Sequence, residues 1–351
     1  MNATPPARRE EADPVVLHVV VGPARHGVTR HALGLLDQAP LVGHAVHRAE
    51  ELPDLSILPP ARLTHLHLTD HLLAPTAGEC AERVVPLMER RAVSLTLHDL
   101  PQPADGEGRY ERRRAAYAAM ASRAAGVVVA SMHERDLLTT ALAEERLPAG
   151  GPIEVVPLPL PGQVPGEFVA RPATMPRELA VFGYVYPGKG HADAVEAAGA
   201  LGVALVALGE LSPGHEGLGD ELTRRAHELG TTARITGHLP EEDVVPTLRA
   251  AGVPVAPHRH VSASGSIGSW LAAGRRPLVP AGGYVDELDA RCPGAVLRYG
   301  HGTPYCDLVA AARAALAAPE VTWLDPGVRL GPDAHECARR LARILDGWAV
   351  R

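Results

Sequence analysis

The sequence predicts an α/β protein built as two parallel-sheet units that face each other across a cleft, and three observations predict it. Short apolar runs alternate with helical patterns through the first half of the chain, a proline-rich stretch interrupts them, and the same alternation then restarts. At 351 residues the chain is also longer than one ordinary core, so two domains are expected.

The opening residues 1–14, "MNATPPARREEADP", are polar and lack the apolar stretch of a signal peptide, so they are expected to be a disordered tail. "VVLHVVVG" (15–22) then reads as a buried strand, and "VTRHALGLLDQ" follows with helical spacing at Val28, Ala32, Leu35 and Leu36. "LTHLHLTD", "AVSLTLHDL" and "GVVVAS" are further strands, separated by the helical segments "CAERVVPLMERR" and "RYERRRAAYAAMASRAA". The charges of "RYERRR" read as a solvated helix face. Prolines crowd the segment that follows, and residues 161–177 read as an extended linker. After it, "ELAVFG", "GVALVALG", "ARITG", "GVPVAP" and "RRPLVP" are strands of a second unit over 178–330. Residues 331–351 close the chain with a helix, capped by Asp333 and striped by Cys337, Leu341, Ile344, Leu345 and Trp348, that needs a folded surface to dock on.

Composition limits the function. Hydrophobic residues at 46% and charged residues at 21% describe a globular protein, and a formal charge of −7 argues against a nucleic-acid partner or a dedicated anionic-membrane surface. No apolar run is long enough to span a membrane. Cys80, Cys292, Cys306 and Cys337 are scattered without metal-ligand spacing and read as ordinary thiols of a reducing compartment, hence a cytoplasmic protein.

The chemistry is expected in the loops beyond the carboxyl ends of the strands. In "LAVFGYVYPGKGHADAV", Gly183, Gly188 and Lys189 nearly complete a phosphate-cradling P-loop. The pattern fails at Gly190, where the Mg²⁺-holding hydroxyl belongs, and Pro187 removes a backbone donor, so an NTP hydrolase is not expected. A lysine beside phosphate remains. In "SASGSIGSWLAAG", residues 264–268 lead into a helix from about Trp270, whose first N–H groups form an anion site. Gly22 and Gly27 frame a loop after the first strand, His98 and Asp99 end another strand, and His258 and His260 precede the serine loop. His65 and His67 share one face of their strand, but no ligand set of known spacing accompanies them and no metal is expected.

These pieces, taken in order, carry a resemblance. "GPARHGVTRHA", "LTLHDLP", "GVVVASMHERDLL", "VFGYVYPGKGHADAV", "ARITGHLPEEDVVPTLRAAGVPVAP" and "SGSIGSWLAAGRRPLV" together resemble the family 4 retaining glycosyltransferases of GT-B architecture, over nearly the whole chain. The resemblance implies two Rossmann-like parallel-sheet domains: an acceptor domain at 15–160 and a nucleotide-sugar donor domain at 178–330. It implies transfer of a sugar from a UDP- or GDP-linked donor, with retention, without a metal or a cofactor, to a small-molecule or secondary-metabolite acceptor. Lys189 and the backbone of Ser264, Gly265, Ser266, Ile267 and Gly268 would hold the diphosphate. Gly237, His238, Leu239 and Ser269 would meet the base and ribose. His98 would be catalytic with Lys189, and His26, Gly27, Asp99, Tyr184 and His258 would line the acceptor and sugar. Two departures stand out. The family's Glu-x7-Glu pair falls on Val261 and Ser269, and the arginine usual after the first glycine of the donor domain is Tyr184, leaving Arg259 or Arg275 as helpers of Lys189. The alternatives are another nucleotide-sugar enzyme of this fold, such as an epimerase, and a binding protein that has lost catalysis.

Overall fold

The computed structural model describes residues 15–41, 43–54, 57–162 and 174–350; the tail expected at 1–14 and residues 163–173 of the expected linker lie outside these. The first unit runs β1 (Val16–Val21), α1 (Gly27–Leu36), β2 (Ala45–Ala49), β3 (Leu63–Leu68), α2 (Asp70–Leu73), α3 (Ala77–Met88), β4 (Val93–Leu97), α4 (Arg109–Ala121), β5 (Gly126–Val129), α5 (Met132–Glu144) and β6 (Ile153–Val155). The second runs β7 (Glu178–Phe182), α6 (His191–Leu201), β8 (Ala204–Leu208), α7 (Leu218–Glu228), β9 (Ala233–Ile235), α8 (Glu241–Ala250), β10 (Val253–Val255), α9 (Gly265–Ala272), β11 (Leu278–Pro280), α10 (Gly283–Arg291), β12 (Leu297–Tyr299) and α11 (Leu308–Ala317); α12 (Ala334–Ala349) follows. Among the described residues, no helix is long and apolar enough to cross a membrane.

Each unit is one six-stranded sheet, in the orders β2-β1-β3-β4-β5-β6 and β12-β11-β10-β7-β8-β9, and both are parallel throughout. In the second sheet the chain starts at β7, builds β8 and β9 to one side, then returns to add β10, β11 and β12 on the other. The switch point of that winding lies between β7 and β10, and a crevice opens there beyond the strand ends. The first sheet has its switch point between β1 and β3.

Both faces of each sheet are covered, so the inner strands are buried, while the outermost ones are half-exposed. Leu17, Val19, Leu66, Leu95 and Leu97 pack with α3, α4 and α5, whereas Val16, Val20 and Leu63 pack with α1 and α12. The closing helix therefore docks on the first sheet. Asp333 and Glu336 form its capping box, and Cys337, Leu341, Leu345 and Trp348 face inward. Trp348 lies flat against Gly126, where a Cβ would stand 2.6 Å from its ring.

Three expectations need correction. α9 starts at Gly265 rather than near Trp270, because the Ser264 hydroxyl accepts from the Ile267 N–H and caps the helix before its apolar residues begin. Arg113 is not on a solvated face. It is 3% exposed, and its guanidinium donates to Asp70 (3.0 Å), Asp99 (2.9 Å) and Asp105 (2.5 Å). Arg275 is fully buried and spends its donors on the carbonyls of Leu248, Ala251, Gly252 and Thr322, with Trp323 stacked at 4.4 Å. It braces the backbone and does not help Lys189.

Candidate functional site

The switch point of the second sheet gathers the residues expected to hold phosphate. Beyond β7 the chain turns at Gly183 (φ +109°), makes one tight helical turn over Pro187–Lys189, and enters α6 through Gly190 (φ +81°). Beyond β10 it runs through His258 to the Ser264 cap. The two segments touch. A Cβ on Gly190 would lie 1.8 Å from the Pro257 carbonyl oxygen, so the position that a P-loop gives to a hydroxyl residue has no room for one here. Gly183 likewise leaves the lysine head free, since a Cβ there would stand 3.1 Å from Lys189 Nζ.

Lys189 is 5% exposed and donates to the Ser266 hydroxyl at 2.6 Å. Burial, with no carboxylate to compensate, pushes its pKa down to about 7. The Ser266 Oγ is 3.1 Å from Ser264 Oγ, which lies 3.3 Å from His258 Nε2, and His258 Nδ1 is 3.1 Å from the Ala256 carbonyl. A carbonyl can only accept, so Nδ1 carries the imidazole proton and Nε2 accepts from Ser264. The chain of bonds thus has one direction, from ammonium to backbone carbonyl. It holds the side chains of the serine loop behind the start of α9, whose first N–H groups precede any intrahelical acceptor. His258, expected beside the sugar, has both ring nitrogens engaged in this support.

Other residues of the second unit surround the crevice. Gly237 (φ +78°) follows β9, and Thr236 Oγ1 ties that turn to Gly209 N at 3.0 Å and to the Gly237 carbonyl at 3.1 Å. His238 is exposed and lies 3.8 Å from Glu210, while Leu239 packs with Trp270 and Leu248. Ser269 Oγ donates to the Gly265 carbonyl at 3.1 Å. Val261 packs into the apolar cluster under α9 and α10. Arg259 is held by Asp193 at 2.8 and 2.9 Å, so its charge is already paired. A cavity of about 340 Å³ opens beside Ser264, Gly265, Gly268 and Ser269, bounded by residues 158–161 and Tyr284.

The first unit meets this crevice. His26 caps α1 by accepting from Val28 N at 3.3 Å, and Arg30 one turn on pairs with Glu241 of α8 at 2.7 Å. The phenols of Tyr184 and Tyr186 are raised by burial and then by a carboxylate: Glu210 for Tyr184, Asp99 of the first unit for Tyr186. His98 follows β4, its N–H bonded to the Leu68 carbonyl at 2.9 Å, and its ring stacks on His67 with centroids 6.3 Å apart. Burial, then His31 and His26, lowers its pKa to about 3, which keeps the imidazole neutral. Asp99 sits in the left-handed region (φ +55°), held there by Arg113 through both its carbonyl (2.5 Å) and its carboxylate. No bond joins His98 to the Lys189 network among the described residues; the two groups lie on separate units.

One participant was not anticipated. Glu134, at the start of α5, is fully buried, accepts from Ala130 N (2.7 Å) and from Ser262 Oγ of the serine loop (2.8 Å), and burial lifts its pKa to about 7. Ser131 Oγ also reaches the Ser262 carbonyl at 2.8 Å. The signal was present in "ASMHERDLL", a Ser-x-x-Glu capping pattern, but its partner is 128 positions away in the chain.

No family model matches the sequence, and neither does any curated protein. Solved structures do match. HepE of Anabaena in complex with UDP-glucose superposes with a TM-score of 0.64 at 14% identity, covering 95% of this chain and 98% of that one. Sucrose-phosphate synthase of Thermosynechococcus elongatus gives 0.63 at 15% identity, covering 95% and 96%. AviGT4, a glycosyltransferase involved in avilamycin A biosynthesis, gives 0.57 at 17% identity, covering 96% and 98%. The likeness is one of fold: two Rossmann-like units in the GT-B arrangement.

Proposed function

We propose that this protein is a glycosyltransferase that takes a sugar from a nucleoside diphosphate sugar and passes it to a small-molecule acceptor. The observation that carries the reading is the meeting of Lys189, Ser266 and the N-terminus of α9 at the β7/β10 switch point, where an α/β sheet binds phosphate. The UDP-glucose bound by HepE, a protein of the same fold, supports a uridine donor.

In this reading the diphosphate lies against Lys189 and the amides of Gly265 and Ser266, since the Ile267 N–H is taken by the Ser264 cap, with the base and ribose toward Gly237, His238, Leu239 and Ser269. As the glycosidic bond breaks, negative charge grows on the leaving phosphate. A pre-placed ammonium and a helix N-terminus stabilise it more in the transition state than in the ground state. His98, neutral and at the cleft edge of the first unit, hydrogen-bonds the sugar, and His26, Gly27, Asp99 and Tyr184 border the acceptor. Among the residues assigned to the sugar and acceptor, no pair of carboxylates stands ready for double displacement. Retention then follows from attack on the face the phosphate leaves, with that phosphate taking the acceptor proton. The four free thiols fit a reducing cytoplasm.

The test is release of UDP or GDP from a panel of nucleotide-sugars, with and without candidate acceptors. Acceptor-dependent release from one donor, lost in Lys189→Ala, supports the assignment; no release from any donor overturns it. A second reading, a donor-binding protein without turnover, is favoured by Val261 and Ser269, which give an apolar contact and a backbone-bound hydroxyl where carboxylates are usual. Donor binding in calorimetry with no product would select it.

A further inference from the structure

The face of the first sheet under α1 and α12 is apolar at Val16, Val20 and Leu63, but between them it carries His18, His65 and His67. His18 of β1 is register partner to His65 of β3, and Val20 to His67, so folding brings together three imidazoles that the sequence keeps apart. All three are buried, at 0%, 0% and 2% exposure, and each offers a ring nitrogen within 4.8 Å of the others. His18 Nδ1 and both nitrogens of His67 have no hydrogen-bond partner among the described residues. Buried polar atoms left in this way cost free energy, and a native fold rarely keeps several in one place without something to satisfy them.

The bonds these rings do make are those that supports of a metal ligand make. Asp346 Oδ1 is 3.1 Å from His44 Nε2, and His44 Nδ1 is 2.9 Å from His18 Nε2. The carboxylate accepts from Nε2 of His44, whose Nδ1 must then accept from Nε2 of His18, so the lone pair of His18 is at Nδ1, the unpartnered atom. A ligating histidine is commonly oriented by an acceptor at its other ring nitrogen; here that acceptor is His44, itself bonded to Asp346. His65 has a hydroxyl at each nitrogen, Ser94 Oγ and Thr96 Oγ1, both at 2.8 Å, so whichever nitrogen turns toward an ion, the other keeps its partner.

We propose that His18, His65 and His67 form a zinc site inside the first unit, supported by His44 with Asp346 and by whichever of Ser94 and Thr96 stays bonded to His65 once its other nitrogen turns to the ion. An all-imidazole donor set suits Zn²⁺, Cu²⁺ or Ni²⁺ and not the oxygen-seeking Mg²⁺ or Ca²⁺. Bonds of about 2.0–2.1 Å place tetrahedral nitrogens roughly 3.4 Å apart, so nitrogens now as much as 4.8 Å apart close in by up to about 1.4 Å on binding. The ion would lie beside His67, on which His98 stacks, and so would set the ring against which the cleft histidine rests.

The test uses the full chain without an affinity tag, stripped by a chelator and titrated with Zn²⁺, then with Co²⁺ as a visible probe. The expected result is one equivalent of buried metal, a raised Tm, and the ligand-field bands of tetrahedral Co²⁺. His67→Asn abolishes the bands, and His227→Asn, on the exposed face of α7, leaves them intact. Asp346→Ala, a surface change that leaves the core alone, weakens binding roughly 10- to 100-fold. A folded wild-type protein that takes up neither ion overturns the proposal. So does a Co²⁺ spectrum that survives His67→Asn or is lost with His227→Asn. The result is independent of the proposed transferase activity, since no substrate enters the measurement.

Discussion

The ammonium of Lys189 stands 2.6 Å from the Ser266 hydroxyl, across the gap between the β7 and β10 loops, with no carboxylate to balance its charge. Such an arrangement suits an arriving anion better than it suits the empty protein. Lys189→Met removes the buried charge, and Ser266 keeps its bond to Ser264, so the variant is expected to gain about 1–3 kcal/mol in urea denaturation. It is also expected to lose nucleoside diphosphate binding by more than about 100-fold. Because the free lysine has a pKa of about 7, which a bound phosphate raises, binding above neutral pH takes up a proton. The Kd then rises by up to about tenfold per pH unit, and calorimetry in buffers of different ionisation enthalpy reads the proton directly.

Glu134 titrates in the opposite sense. Its pKa is raised to about 7, first by burial, so the folded protein holds the proton more tightly than the unfolded chain does. That contribution to stability is complete below the unfolded carboxyl value and is lost as pH rises through about 7. Glu134→Gln removes the titrating group. The stability difference between wild type and variant, followed by urea denaturation, should move in favour of the variant by a few kcal/mol at most between about pH 5 and pH 8.

Gly190→Ala places a methyl 1.8 Å from the Pro257 carbonyl at a φ of +81°, where both the contact and the backbone oppose it. A loss of about 2–4 kcal/mol is expected, with weaker nucleotide binding because Lys189 is the preceding residue. Gly202→Ala, at φ +62° with open space around it, should cost only about 1 kcal/mol. Comparing the two Tm values separates crowding from backbone strain.

Arg113→Leu leaves Asp70, 1% exposed, without its guanidinium. Breaking a buried pair in this way costs about 3–5 kcal/mol. Asp99 also loses the partner that holds its left-handed backbone, so turnover should fall beyond what stability explains. The double variant Arg113→Leu, Asp70→Asn recovers stability in thermal melts and does not recover turnover.

What the sequence disclosed depends on how locally each feature is encoded. β7, its glycine turn and Lys189 are contiguous, and Ser264 is a cap two residues before Ser266, so these two loops were legible as turns at strand ends. β2, β6 and β12 were not: they are outermost in their sheets and half-exposed and lack the apolar run by which buried strands are recognised, features that β9 shares although it was expected. The start of α9 was placed too late because Gly265, Ser266 and Gly268 are poor helix formers, and capping outweighs their propensity. Arg113 and Arg275 look like neighbouring charges along the chain; only packing shows one neutralising carboxylates and the other holding carbonyls. His18 faces His65 through strand register, which no spacing between adjacent residues records.

The helix that seals the first sheet comes from beyond the second one. On the ribosome, β1 to β6 are all synthesised roughly 200 residues before Trp348 arrives to cover Gly126. At typical elongation rates that delay is about 10–40 s. The early half must therefore wait with an oily seam open while the later half is made, and premature termination just before α12 would release a chain whose second lobe can close and whose first cannot. Quality control in the cell would meet such truncated products as clients for chaperones and proteases.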